Sequence, residues 1–339
     1  MARPEAILDL LDLPLRGVAV GAALEVGVFR HLAESPQSSA VLAEKLGIPS
    51  GRCSALLALL AAEGLAMQTP EGWAPTDTAR ASIVEVYSPD TWQLLAEEAR
   101  ERLAAAADLP SGLRAQPAPA GGRPAYVERM AGDPERARRF TRMLYEIHQP
   151  LAADLASVLD LRGGRRLMDL GGGSGVMAMA LARRWPQLEA TVVDVATVCD
   201  AGRELAAAQA LEERVSYCAA DFLADPLPGG FDVVLECDVA IYSEPLFRKV
   251  REALSPGGRF VIVDHFAEDS AASDRSRLAW ILVRRLVDPD WDEPSVSGTA
   301  ALMQEAGFVR IAATRLPTTP WIGGRPEAVS LLEGYSAGG

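Results

Sequence analysis

The sequence predicts an α/β protein with a doubly wound, mostly parallel sheet, preceded by a smaller, mostly helical domain. Three observations carry this. The apolar run Leu167–Leu170 closes on an acid, meets the glycines of Gly171-Gly172-Gly173-Ser174-Gly175, and passes at once into the amphipathic stretch Val176–Arg184. From Gly164 onward, short β-branched runs alternate with helical ones, which argues a parallel sheet with crossover helices. Before that point the chain is almost wholly helical in pattern, apart from one small hairpin.

Residues 5–34 read as helices, with Leu15–Phe29 apolar and rich in Gly and Ala, a composition suited to close helix packing within or between subunits. His31 follows this run as a surface or interface residue. Ser39–Gly47 is a helix ending on glycine, Ile48-Pro49 turns, Ser50–Gly64 is a second helix, and Ala66–Thr76 a hairpin. Helix, turn, helix and hairpin make a winged helix. Its would-be recognition helix carries only Arg52 and Glu63 as charges, whereas groove reading needs basic and amide side chains. A DNA-binding regulator is therefore the rival reading, and the disfavoured one.

Leu94–Ala107 is a solvated helix, and residues 109–124 a Pro/Gly/Ala connection. Asp133-Pro134-Glu135 opens a helix running through Phe140, Met143 and Leu144 to His148, where Gln149-Pro150 restarts it. The strands expected after the glycine turn are Ala190–Asp194, Arg214–Cys218, Phe231–Glu236 and, beyond a Leu254–Gly258 turn, Arg259–Asp264. Two more, Val309–Thr314 and Ala328–Glu333, close the sheet.

Glycines let the turn take positive φ and let a ligand approach the backbone, and the helix start offers its free amides. The spacing is GxGxG, short of the full dinucleotide fingerprint. Asp194 falls about 20 residues later, where a ribose-binding carboxylate is expected. Asp221 and Phe222 follow the third strand, suited to an exocyclic amine and an adenine face. Acids at successive strand ends belong in one crevice.

These residues, Asp169–Gly175, Asp194, Asp221-Phe222 and Leu254–Gly258, together resemble the class I S-adenosylmethionine-dependent methyltransferases. More narrowly they resemble the bacterial and plant small-molecule O-methyltransferases with an N-terminal winged-helix dimerisation domain, from about Leu15 to Gly307. The resemblance implies a Rossmann-like seven-stranded sheet with an antiparallel edge. It also implies a dimerisation domain over residues 1–100, a methyltransferase domain over 101–339, a homodimer, and S-adenosylmethionine held by Asp169, Gly171, Gly173, Asp194, Asp221, Phe222 and Cys237. The expected reaction is methyl transfer to a hydroxyl of a small, aromatic or polyketide-like metabolite. C-methylation, or another reaction with the cofactor retained, is the alternative.

One departure matters. Many members of that family carry a His-Asp-Trp segment after the fourth strand, whose His is the general base. Here Glu236-Cys237-Asp238-Val239-Ala240-Ile241-Tyr242-Ser243 has no His. Tyr242 falls closest to it, and His148 and His265 are the remaining candidates to face the substrate. Met143 and Trp280 are candidate pocket walls. Asp290 lines up with a family glutamate that orients the missing His.

Composition limits the partners. The 339 residues carry a net charge of −13, against the basic face that nucleic acid requires. Four cysteines without a CxxC pair argue against zinc and against a disulfide framework, and no metal is expected. No stretch reaches membrane-spanning length and the start lacks an apolar signal core, so a cytoplasmic enzyme is expected.

Overall fold

The computed structural model describes residues 4–115, 125–269, 274–316 and 329–338. The chain divides into two compact units, Met1–Arg114 and Ala115–Gly339. The division falls beyond residue 100 because the Pro89–Ala105 helix packs along the Glu5–Glu25 helix. A Cβ placed at Gly21 would touch that of Ala96 at 3.6 Å, and Arg100 pairs with Glu25. The small residues read from the sequence thus serve packing within this unit.

In the first unit, helices Val28–Glu34, Ser39–Leu46 and Ser50–Ala62 precede a hairpin of β1 (Ala66–Thr69) and β2 (Gly72–Pro75). Ser38 caps the second of these helices by accepting from the Val41 amide, and Gly47 ends it in the left-handed region at φ 65°. The Ser50–Ala62 helix buries Cys53, Leu57 and Leu60 against Phe29, Leu32 and Leu42.

In the second unit, helices Ala125–Gly132, Pro134–Ile147 and Gln149–Val158 lead into β3 (Arg166–Leu170). Then come β4 (Glu189–Asp194), β5 (Val215–Ala219), β6 (Phe231–Cys237), β7 (Leu254–Asp264), β8 (Phe308–Leu316) and β9 (Val329–Ser336). The sheet order is β5-β4-β3-β6-β7-β9-β8. The first five strands are parallel, and β9 pairs antiparallel with both β7 and β8. The expected seven-stranded sheet is present.

The Leu254–Gly258 turn is absorbed into β7 as a bulge. Phe231 pairs with Leu254, but Val233 already pairs with Arg259, and Gly257 takes the positive φ, 76°. Of the Pro/Gly/Ala connection, Leu109–Gly112 forms a helical turn, and residues 116–124 lie outside the described residues, as does Ala328. The core lies on both faces of β3 and β6: Leu167, Val192, Leu235 and Val261 on one side, Met168, Val193, Val234 and Ile262 on the other. Near-continuous burial along these strands is what two helical layers require.

Candidate functional site

The chain runs one way from β3 through β4 to β5, and the other way from β6 to β7. The order therefore reverses between β3 and β6, and ligands bind outside the carboxyl ends of strands at such a switch point. At that place the turn Gly171–Ser174 and the end of β6, Cys237 and Asp238, line a recess of about 60 Å³ with Asp169, Val176, Met177, Leu144 and His148.

Buried carboxylates build the turn. Asp169 is fully buried at the end of β3, and one of its oxygens accepts from the Ala178 amide at 3.2 Å. Its other oxygen, Oδ1, is buried without a hydrogen-bond partner. Asp194 accepts from the Gly173 amide at 3.0 Å and from the Val195 amide at 2.7 Å, tying the glycine turn to the end of β4. Burial pushes Asp169 up to about 7 and Asp194 up to about 6, against the hydrogen bonds that favour their charged forms.

The glycines have separate reasons. Gly172 must lack a side chain because a Cβ there would lie 2.4 Å from the Asp169 carboxyl carbon. At Gly171 a Cβ would meet Val239 at 2.7 Å and Phe222 at 3.5 Å, in a left-handed backbone of φ 68°. Phe222 therefore sits directly over the turn. Asp221 closes a local turn, with its carboxylate accepting from the Leu223 amide at 3.2 Å, and is half-buried.

At the end of β6 the arrangement is different. Glu236 is fully buried, and burial pushes it well up, the neighbouring Asp264 adding to this and the Ile241 amide opposing it. Asp264, held up to about 7 by burial and then by Asp238, accepts from the Tyr242 hydroxyl and from the Ala240 amide at 3.1 Å. Tyr242 stacks on Phe266 at 5.7 Å. Its hydroxyl proton is committed to Asp264, and burial drives its acidity far below that of an ordinary phenol. The residue expected to face a substrate oxygen is instead a brace between β7 and the loop after β6. Cys237 keeps its proton, since burial raises the thiol well up and the nearby carboxylates add to it.

The other candidates separate. Met143 is buried on the Pro134–Ile147 helix. His148 caps that helix and lines the recess, with Nε2 at 3.2 Å from Asp238 Oδ2. His265 is half-buried just past β7, its amide donating to Asp264 Oδ1 at 2.6 Å. Trp280 and Asp290 are not among the recess-lining residues. Trp280 is exposed on the Arg275–Val287 helix and packs edge-on against Trp291 at 5.0 Å, with Arg284 over both rings. Asp290 is exposed, and its amide donates to Asp288 Oδ1 at 3.1 Å. Sequence reading did not single out Gly172, Asp238 or Asp264 as site residues. The first two stand inside quoted motifs, but the pairing of Asp264 with Tyr242 crosses strands and has no sequence signal.

An O-methyltransferase domain model matches residues 114–309. The chain belongs to the O-methyltransferase family. It is 32% identical over 276 residues to the 3-hydroxy-5-methyl-1-naphthoate 3-O-methyltransferase of Streptomyces sahachiroi, covering 78% of each chain. The structure of the mitomycin 7-O-methyltransferase MmcR superposes with a TM-score of 0.78 at 25% identity, covering 98% of this chain and 97% of that one. The structure of PigF with SAH, at 19% identity, shares the fold with a TM-score of 0.81 over 99% and 100% of the two chains.

This membership makes the chain an S-adenosylmethionine-dependent methyltransferase acting on the hydroxyl of a small molecule. The residues present fit the cofactor. Asp169, which carries an unpartnered buried carboxylate oxygen, lines the recess beside Gly171 and Gly172, where an added Cβ would clash. No helix among the described residues is long and apolar enough to cross a membrane.

Proposed function

We propose that the acceptor is a small aromatic or polyketide-like metabolite whose hydroxyl, as a phenol, enol or carboxylic acid, reaches the site acidic enough to react without an enzyme base. One observation carries this reading: the polar groups nearest the end of β6 are already engaged. Tyr242 donates to Asp264, Cys237 stays a thiol, and His148 Nε2 faces Asp238. A neutral hydroxyl needs a base of matched pKa, whereas an acceptor anion needs only placement in line with the methyl group.

Bound S-adenosylmethionine supplies an electrophilic methyl on its sulfonium. Asp169, Gly171, Gly173, Asp194, Asp221, Phe222 and Cys237 hold it, and Met143 and His265 lie toward the acceptor. The naming of curated relatives for a naphthoate and for tetracenomycin polyketide synthesis supports the acceptor class. The test is S-adenosylhomocysteine release from a series of phenols of graded acidity between pH 6 and 10. The rate is expected to follow the ionised fraction of each acceptor, so the profile moves with the phenol. A profile fixed at one pH for every phenol overturns the reading.

The first unit is proposed as a dimerisation domain. Its Glu5–Glu25 helix exposes Ile7, Leu8, Leu10, Leu11 and Leu15, each more than half exposed, a patch of the kind that marks association. Light scattering should give twice the chain mass, and Leu11→Glu should halve it. The cytoplasm is the proposed compartment, supported by four cysteines that all stand free.

A further inference from the structure

His148 stands where the helices Pro134–Ile147 and Gln149–Val158 meet, and is 5% exposed. Its Nδ1 lies 3.0 Å from the Leu144 carbonyl oxygen, and its Nε2 lies 3.2 Å from Asp238 Oδ2. Each ring nitrogen thus faces an oxygen, Nδ1 a backbone carbonyl and Nε2 a carboxylate, and His148 and Asp238 stand side by side on the wall of the recess.

Both partners are held in place. Asp238 takes the left-handed region at φ 57°, uncommon outside glycine, and its amide donates to the Val263 carbonyl at 3.0 Å. Among the described residues lining the recess, His148 is the one side chain able to carry positive charge; no Lys or Arg is present. Asp169, with Oδ1 buried and unpartnered, supplies a second acceptor there. The recess, about 60 Å³ and lined by His148, Asp169, Ser174 and Asp238, suits the small polar end of a ligand.

We propose that His148 and Asp238 form a clamp for the zwitterionic amino-acid end of the cofactor. The His148 ring, through Nε2, takes the α-carboxylate in place of Asp238, and Asp238, with Asp169, takes the α-ammonium. The pair that closes on itself in the free protein exchanges each partner for a group of the ligand. Opening requires only rotation of the Asp238 side chain, which is more than one-third exposed. In this clamp His148 is a cofactor-binding residue and not the missing base, because its Nε2 is taken up by the cofactor's carboxylate. This inference rests on the assignment of the recess to S-adenosylmethionine.

Calorimetric titration with S-adenosylhomocysteine and with 5′-methylthioadenosine, which keeps the nucleoside but lacks the amino-acid end, tests it in the full chain. His148→Ala and Asp238→Asn should each weaken S-adenosylhomocysteine by at least about tenfold and leave 5′-methylthioadenosine unchanged. The second variant keeps the backbone and an exposed side chain of the same shape, so it guards against simple unfolding. Equal loss for both ligands makes the pair a support of the turn, and no loss for S-adenosylhomocysteine means no clamp; either overturns the inference. If the unaltered protein binds neither ligand, the cofactor assignment itself fails.

Discussion

The ends of β3 and β6 lie side by side in the sheet, yet they use acids in opposite ways. At β3 the carboxylates of Asp169 and Asp194 are consumed by backbone amides of one turn and the helix after it, leaving a single open oxygen. At β6 the acids Glu236, Asp238 and Asp264 crowd around one tyrosine and one histidine. The first arrangement is fixed by glycines and barely depends on side-chain choice elsewhere. The second is fixed by side chains that come from three separate segments. A backbone-built site is set by local chain geometry, while a side-chain-built one depends on partners brought together from separate segments.

The largest effect should come from filling the backbone-built side. Gly172→Ala puts a Cβ against the Asp169 carboxylate and should cost about 3 kcal/mol of stability, with S-adenosylhomocysteine binding lost in calorimetry. If the variant binds normally, the turn is not the rigid half of the comparison.

Charge gives the next effect. Asp169 is held near 7 and Asp194 near 6, above an unfolded value of about 3.9. The folded chain therefore keeps protons that the unfolded chain releases, and stability falls as the pH rises from about 4 to about 7. The ligand-free protein should melt at a lower temperature at pH 8 than at pH 5. Asp169→Asn should raise the melting temperature at pH 8 more than at pH 5 while weakening the cofactor. A variant with the same pH slope as the parent removes this account of the buried acids.

On the side-chain-built side, Tyr242→Phe removes the donor to Asp264 but leaves the Ala240 amide in place. A loss of about 1–2 kcal/mol is expected in denaturant unfolding, with the pH dependence of turnover unmoved. A lost basic limb would return the tyrosine to the chemistry. Asp290→Ala should be the mildest change, within about 0.5 kcal/mol and with unchanged steady-state constants, since the residue is exposed and its bond to Asp288 is made by its backbone amide, which the substitution keeps. A tenfold fall in turnover would bring the Arg275–Val287 segment back into the site.

Most of the fold was legible because it depends on local rules. Alternating strands and helices, acids before glycines and caps such as Ser38 act over a few residues, and so they can be read in order. The bulge in β7 was less so, since Ser255-Pro256-Gly257-Gly258 is a turn by its own chemistry and becomes part of a strand only through pairing on both sides with β6 and β9.

By itself, the sequence determined the sheet, the glycine turn and which acids stand at the strand ends, because each follows from spacing along one element. Only the tertiary structure decided that Tyr242 spends its proton on Asp264, 22 residues away. It also decided that His148 meets Asp238 across 90 residues, and that Trp280 packs against Trp291 under Arg284. Which donor finds which acceptor is set by burial and by the crossing of separate segments. No spacing in the chain encodes those partners.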